Sequence, residues 1–169
     1  MAAPQFPASY VNTAVERALA DLAEAPGEET LAALLDAAQR GGLVLDITGS
    51  DARDPRVRTV ASTDGRPVLP LFTSMEQLEI AVGQALAAQS AGRQESGGRG
   101  GDGAQGGDSA QGADGAQGAA VQAVIMPARQ ALELIGSDDF VAVQFNPGQA
   151  AQVIARSHVE LALHGGTDS

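Results

Sequence analysis

The chain has 169 residues, a formal net charge of −11, no cysteine and no lysine, so all 10 of its cations are arginines. Without cysteine there is no disulfide scaffold, thiolate metal ligand or cysteine nucleophile, and without lysine there is no P-loop lysine or Schiff base. So acidic a chain repels phosphate backbones, and with no basic leader and no apolar run near the ~20 residues of a membrane span, the expectation is a soluble cytoplasmic protein that binds neither nucleic acid nor membrane.

Residues 11–24 carry an amphipathic helical pattern, with Val11, Ala14, Val15, Ala18, Leu19 and Leu22 on one stripe. Pro26-Gly27 ends it. A second helix is predicted over Glu28–Arg40, acidic at its start, basic at its end and followed by Gly41-Gly42. Leu43–Ile47 is a short apolar run with the character of a buried strand, and a polar loop follows to Arg56. Val57–Ala61 and Pro67–Phe72 flank Asp64-Gly65, a hairpin signal. Pro67 and Pro70 cannot donate to a ladder, which pushes their strand to an edge or limits its pairing to one side. From Ser74 to Ala88 the pattern is helical again. Thr73 with Glu76, and Ser74 with Gln77, each fit a capping box at its start.

Residues 90–121 hold 11 of the 21 glycines and three copies of a six-residue repeat, beginning at Asp102, Asp108 and Asp114. A collagen-like reading fails for want of proline and of an unbroken triplet, so a flexible low-complexity insert is expected. Val121–Met126 then reads as a strand, and Pro127 opens a helix through Ile135 that Gly136 stops. Phe140–Phe145 is the strongest strand pattern. After it Asn146 suits a helix N-cap and Pro147 the first helical position, predicting a short helix to Arg156. His158–Leu163 closes as a strand with Val159, Leu161 and Leu163 inward. The fold class is thus mixed α/β (α+β). Residues 9–89 and 122–164 form one small domain, a mixed sheet flanked by helices, interrupted by a disordered Gly-rich loop at 90–121.

Leu69-Pro70-Leu71-Phe72-Thr73-Ser74 with Glu76 and a Leu-bearing helix, followed by Phe145-Asn146-Pro147-Gly148, resembles the N-terminal domain of the SseB (enhanced serine sensitivity) family. The matching features run from about Leu31 to Leu163. The resemblance implies a small α/β domain of a bacterial cytoplasmic protein, and carries no established reaction or catalytic residues. The chain departs from the family in its Gly-rich insert, and nothing in it resembles a second, C-terminal SseB domain.

The two strand-to-helix junctions are the foremost candidate site. Helix N-termini expose unpaired N–H groups that suit carboxylate or phosphate, so Thr73, Ser74, Asn146 and Gly148 would line one crevice if the Phe72 and Phe145 strands are neighbours. Helix capping alone also explains Thr73, Ser74 and Asn146. Ser74 lacks the glycine-flanked elbow of a hydrolase nucleophile. Asp46, Asp51, Asp54 and Asp64 match no calcium loop, and Arg53, Arg56, Arg58 and Arg66 are placed to neutralise them. Arg58 and Arg66 could also present guanidinium groups to an acidic partner or anion. His158 and His164 lack a third ligand for zinc. No cofactor or metal is expected. The residues therefore favour a non-enzymatic interaction or regulatory module with a protein partner or a second copy. The alternative is a sensor of a small anionic metabolite, an amino acid or phosphate, at the two junctions.

Overall fold

The computed structural model describes residues 6–50, 56–95, 121–137, 139–148 and 152–165. Helix α1 (Thr13–Glu24) begins at Asn12, whose Oδ1 accepts the Val15 N–H at 3.2 Å. Its buried stripe is Val15, Ala18, Leu19 and Leu22. Helix α2 (Glu28–Ala37) follows, with Glu28 and Glu29 in its first turn, where the helix dipole favours carboxylates. It ends short of Arg40, because the chain must turn at Gly41-Gly42 into strand β1 (Gly42–Asp46).

A hairpin joins β2 (Val60–Ala61) to β3 (Pro67–Leu71), closed by Ser62 N–H to the Arg66 carbonyl at 2.8 Å. Helix α3 (Met75–Glu95) runs past the expected end at Ala88, into the stretch assigned to the insert. Residues 96–120 of that Gly-rich segment lie outside the described residues. Strand β4 (Ala123–Pro127), helix α4 (Ala128–Glu133) and a 3₁₀ turn (Leu134–Gly136) follow as expected. Strand β5 (Ala142–Phe145), strand β6 (Gln152–Ala155) and helix α5 (Arg156–Gly165) complete the chain.

β1 and β4 pair antiparallel, and β2, β3, β5 and β6 pair in that order, with β3 and β5 parallel. The two sheets meet at one seam, where Val44 and Phe72 exchange two backbone hydrogen bonds of 2.9 Å each. Pro70 falls in the gap between this seam and the short β2 pairing at Val68. Its missing N–H therefore interrupts no ladder, and the longer pairing of β3 is with β5, from Val68 to Leu71. Alternation along the strands sends Leu43, Leu45, Leu69, Leu71, Val143 and Phe145 to a main core shared with α1, α2, α4 and α5. Val44 and Phe72 point the other way, onto Leu78 of α3.

Two expectations are overturned. The helix expected from Asn146 to Arg156 is not formed, since residues 152–155 are strand β6. Asn146 takes φ 46° and Gly148 takes φ 98°, so Asn-Pro-Gly turns the chain back, and β6 then pairs antiparallel with β5. Residues 149–151 lie outside the described set. Asn tolerates the left-handed region as readily as it caps a helix, and local sequence does not separate the two uses. The second departure is at the end of the chain, where residues 158–163 are helical instead of extended. Val159 and Leu163 are buried one helical turn apart while Leu161 is 71% exposed, and Arg156 reaches Glu160 at 2.6 Å across one turn. The strand-like alternation of Val159, Leu161 and Leu163 thus contains a helical pair.

Candidate functional site

The structure brings Thr73 and Asn146 together, because β3 and β5 are parallel neighbours. The Thr73 N–H donates to Asn146 Oδ1 at 3.0 Å, and Asn146 Nδ2 donates to Thr73 Oγ1 at 3.1 Å. The Thr73 hydroxyl in turn donates to Glu16 Oε1 of α1 at 2.9 Å. Thr73 is fully buried, and its carbonyl accepts the Asn12 N–H. Ser74 caps α3 by accepting the Gln77 N–H at 3.3 Å, so of the two overlapping capping boxes this one forms that bond. These polar atoms are committed to one another in a joint between α1, β3 and β5. The second helix N-terminus proposed for an anion does not exist, since β5 leads into a turn.

Gly148 lies across the joint, against α3. At φ 98° a Cβ there would meet Gln84 Oε1, so glycine lets the turn approach the helix. Arg66 stands at the other end of β3 from Thr73, roughly 20 Å away at the rise of an extended chain. It pairs with Asp64 at 2.7 Å. The Ser62 hydroxyl, and then Arg66, hydrogen-bond the Asp64 carboxylate and hold its pKa below the ordinary 3.8. Asp46 and Arg58 approach to 3.9 Å. Both carboxylates thus have an arginine beside them, as the spacing implied, whereas Asp51, Arg53 and Asp54 lie outside the described residues. His158 and His164 are both exposed on α5. Six helical steps put them about 120° apart, which defeats a shared metal face. Among the described residues no three His, Asp or Glu side chains gather to hold a metal ion.

Among the concavities of the described residues, two have largely apolar walls. One, of about 530 Å³, lies between α3, the β2–β3 hairpin and the Pro147-Gly148 turn. Pro70, Phe72, Val82 and Ala85 make it apolar, and Asp46 with Arg58 closes one end as a self-neutralising pair. The other, of about 380 Å³, is a groove between α2 and α5. Leu31, Ala32 and Leu35 form one wall at helical spacing, and Leu161 and Ala162 the other, with Glu28 and Asp36 on the rim. Sequence reasoning missed this groove because it takes α5 for a strand. Asn12 and Glu16 were missed as well, although Asn directly before a helical stripe is an N-cap signal.

No curated protein and no solved structure shows significant similarity to the chain. Residues 15–96 match the family model of the SseB protein N-terminal domain. The match spans α1 to the end of α3 and includes Thr73 and Ser74. Through this segment, and with the mixed α+β fold described, the chain carries an SseB N-terminal domain.

Proposed function

We propose that this domain is a non-enzymatic docking module of the bacterial cytoplasm, and that it seats a basic amphipathic helix of another protein in the groove between α2 and α5. The observation that carries this reading is Leu161. Among the described residues it is the most exposed of the large apolar side chains, and it stands opposite Leu31 and Leu35 in a trough. An apolar trough of this kind suits the i, i+3, i+4 anchors of a helix. Charge selects the partner. Residues 13–40 hold Glu16, Asp21, Glu24, Glu28, Glu29 and Asp36 against only Arg17 and Arg40, so an Arg- or Lys-rich helix is drawn in and an acidic one repelled. The resemblance to SseB proteins supports the cytoplasmic setting, and among the described residues no helix is long and apolar enough to cross a membrane.

The test is a fluorescence-anisotropy titration with labelled helical peptides carrying Leu and Ala on one face and Arg on the other. Binding should weaken with added salt and fall at least tenfold in Leu161→Glu, whose thermal melt should match the parent because the side chain is exposed. Peptides with Glu in place of Arg should not bind. Equal binding of both peptide classes, or no response to Leu161→Glu, would overturn the proposal.

A further inference from the structure

A second open surface is a sheet edge, independent of the groove. Strand β4 pairs with β1 on one side, and among the described residues no strand lies on its other side. The register shows which backbone groups are left over. Ile47 N–H bonds the Gln122 carbonyl, and Ala128 N–H bonds the Gly41 carbonyl, both at 2.9 Å. In an antiparallel ladder such pairs alternate, so Val124 and Met126 also direct their N–H and C=O groups at β1. Ala123 and Ile125 direct theirs away from it. The seam checks this assignment independently: Val44, of opposite parity in β1, bonds outward to Phe72.

Edges are ordinarily blunted by a charge, a bulge or a proline. β4 has no charge anywhere from Val121 to Pro127, in a chain of net charge −11, and all five of its residues are half-exposed. Both of its faces are already packed, Val124 and Met126 on the main core and Ala123 and Ile125 beneath α3. What the strand leaves unpaired, among the described residues, is its outer hydrogen-bonding edge. Pro127 occupies an outward position, where its missing N–H ends the usable edge.

We infer that β4 joins two copies of this chain by pairing antiparallel with β4 of a second copy about a two-fold axis. With Val124 on the axis, Ala123 of one copy stands opposite Ile125 of the other. Their outward N–H and C=O groups exchange four hydrogen bonds. Val121 then meets Pro127 of the other copy, and needs from it only the carbonyl that proline retains. Every outward donor between Val121 and Pro127 finds an acceptor, and the facing side chains at Val124, Ala123 and Ile125 are apolar on apolar. A two-fold contact of this kind is the commonest way for identical chains to associate. The remaining charge of each copy is like-signed, so salt strengthens this contact by screening, opposite to its effect on a basic helix in the α2–α5 groove.

Sedimentation velocity of the full chain, with amide exchange followed by NMR, tests the inference. A dimer should be seen whose dissociation constant falls as salt is raised. Dilution should speed exchange at Ala123 and Ile125 while leaving Val124 and Met126, bonded to β1, unchanged. Ile125→Pro removes an outward donor, and Ala123→Lys places a cation at the edge on a stem long enough to reach solvent. Each should raise the dissociation constant at least tenfold in a chain that keeps its circular dichroism. A chain that stays monomeric at high salt overturns the inference. So does a dimer indifferent to both substitutions, or protection of Ala123 and Ile125 that does not depend on concentration, since the last would mean that the chain's own residues cover the edge.

Discussion

Thr73 and Asn146, 73 residues apart in the chain, close a reciprocal pair in which each side chain answers a polar group of the other residue. The pair fastens the ends of β3 and β5, and the Thr73 hydroxyl passes the connection on to Glu16 of α1. Such a joint explains why a Thr-Ser string and an Asn-Pro-Gly string occur together: one supplies a buried N–H and hydroxyl, and the other a side-chain amide on a left-handed residue that also reverses the chain.

Asn146→Gly isolates the side chain, because glycine accepts φ 46° without cost. The buried Thr73 N–H then loses its acceptor, and we expect a loss of about 1–3 kcal/mol in urea unfolding. Asn146→Ala adds the left-handed penalty of roughly 1–2 kcal/mol. Combined with Thr73→Val, the glycine variant should cost less than the two single losses together, because both single changes already break the bond from Asn146 Nδ2 to Thr73 Oγ1, while the Thr73 N–H is lost to Asn146 only in the glycine variant. Strict additivity would show that the two residues act separately.

A second prediction concerns Asn12, which has three tasks. Its Oδ1 caps α1 by accepting from Val15, and its Nδ2 donates to the Arg40 and Gly42 carbonyls at 3.0 Å each. By cap preference alone Asp should replace Asn without loss. Here a carboxylate would keep the cap but set an anionic oxygen against two carbonyl oxygens at a site only 4% exposed. The parent should have the highest melting temperature, Asn12→Ala a lower one, and Asn12→Asp one no better than Asn12→Ala. The Asn12→Asp variant should recover as pH falls and its carboxyl is protonated to a donor. If Asn12→Asp proves as stable as the parent at neutral pH, capping is all this residue does.

What could be read in advance was whatever depends on one element at a time. The stripe Val15, Ala18, Leu19 and Leu22 is buried as its period requires, Ser74 caps α3, and Pro70 sits where no ladder bond is needed. The adjacency of the two junctions followed from the parallel β3–β5 pairing. What failed was decided between elements. Asn-Pro-Gly satisfies the local rules for a helix start and for a turn alike, and the choice falls to Thr73, far away in sequence. Val159, Leu161 and Leu163 satisfy two periods at once, and burial against α2 and α4 selects the helical one. With α5 misassigned, the groove it forms with α2 had no second wall.

The last prediction is a pH dependence at the β2–β3 hairpin. Asp64 accepts from the Ser62 hydroxyl and from Arg66, and both favour the ionised form, so its folded pKa lies below the ordinary 3.8. The unfolded chain binds a proton first as pH drops. The increment of stability that Asp64 supplies is therefore fully present above pH 3.8 and is lost as pH falls through the lowered folded value. Asp64→Asn removes the increment at every pH. The difference between parent and variant should thus be constant from neutral pH down to the ordinary carboxyl value and shrink below it. The group is exposed and faces Arg66 in solvent, so raised salt should reduce the Arg66 share of the effect and spare the share due to the Ser62 hydroxyl. Amide exchange at Gly65 and Arg66, whose N–H groups bond the Ser62 carbonyl and hydroxyl, reports the hairpin directly. A difference that grows as pH falls would reverse the sign and rule out this account of the turn.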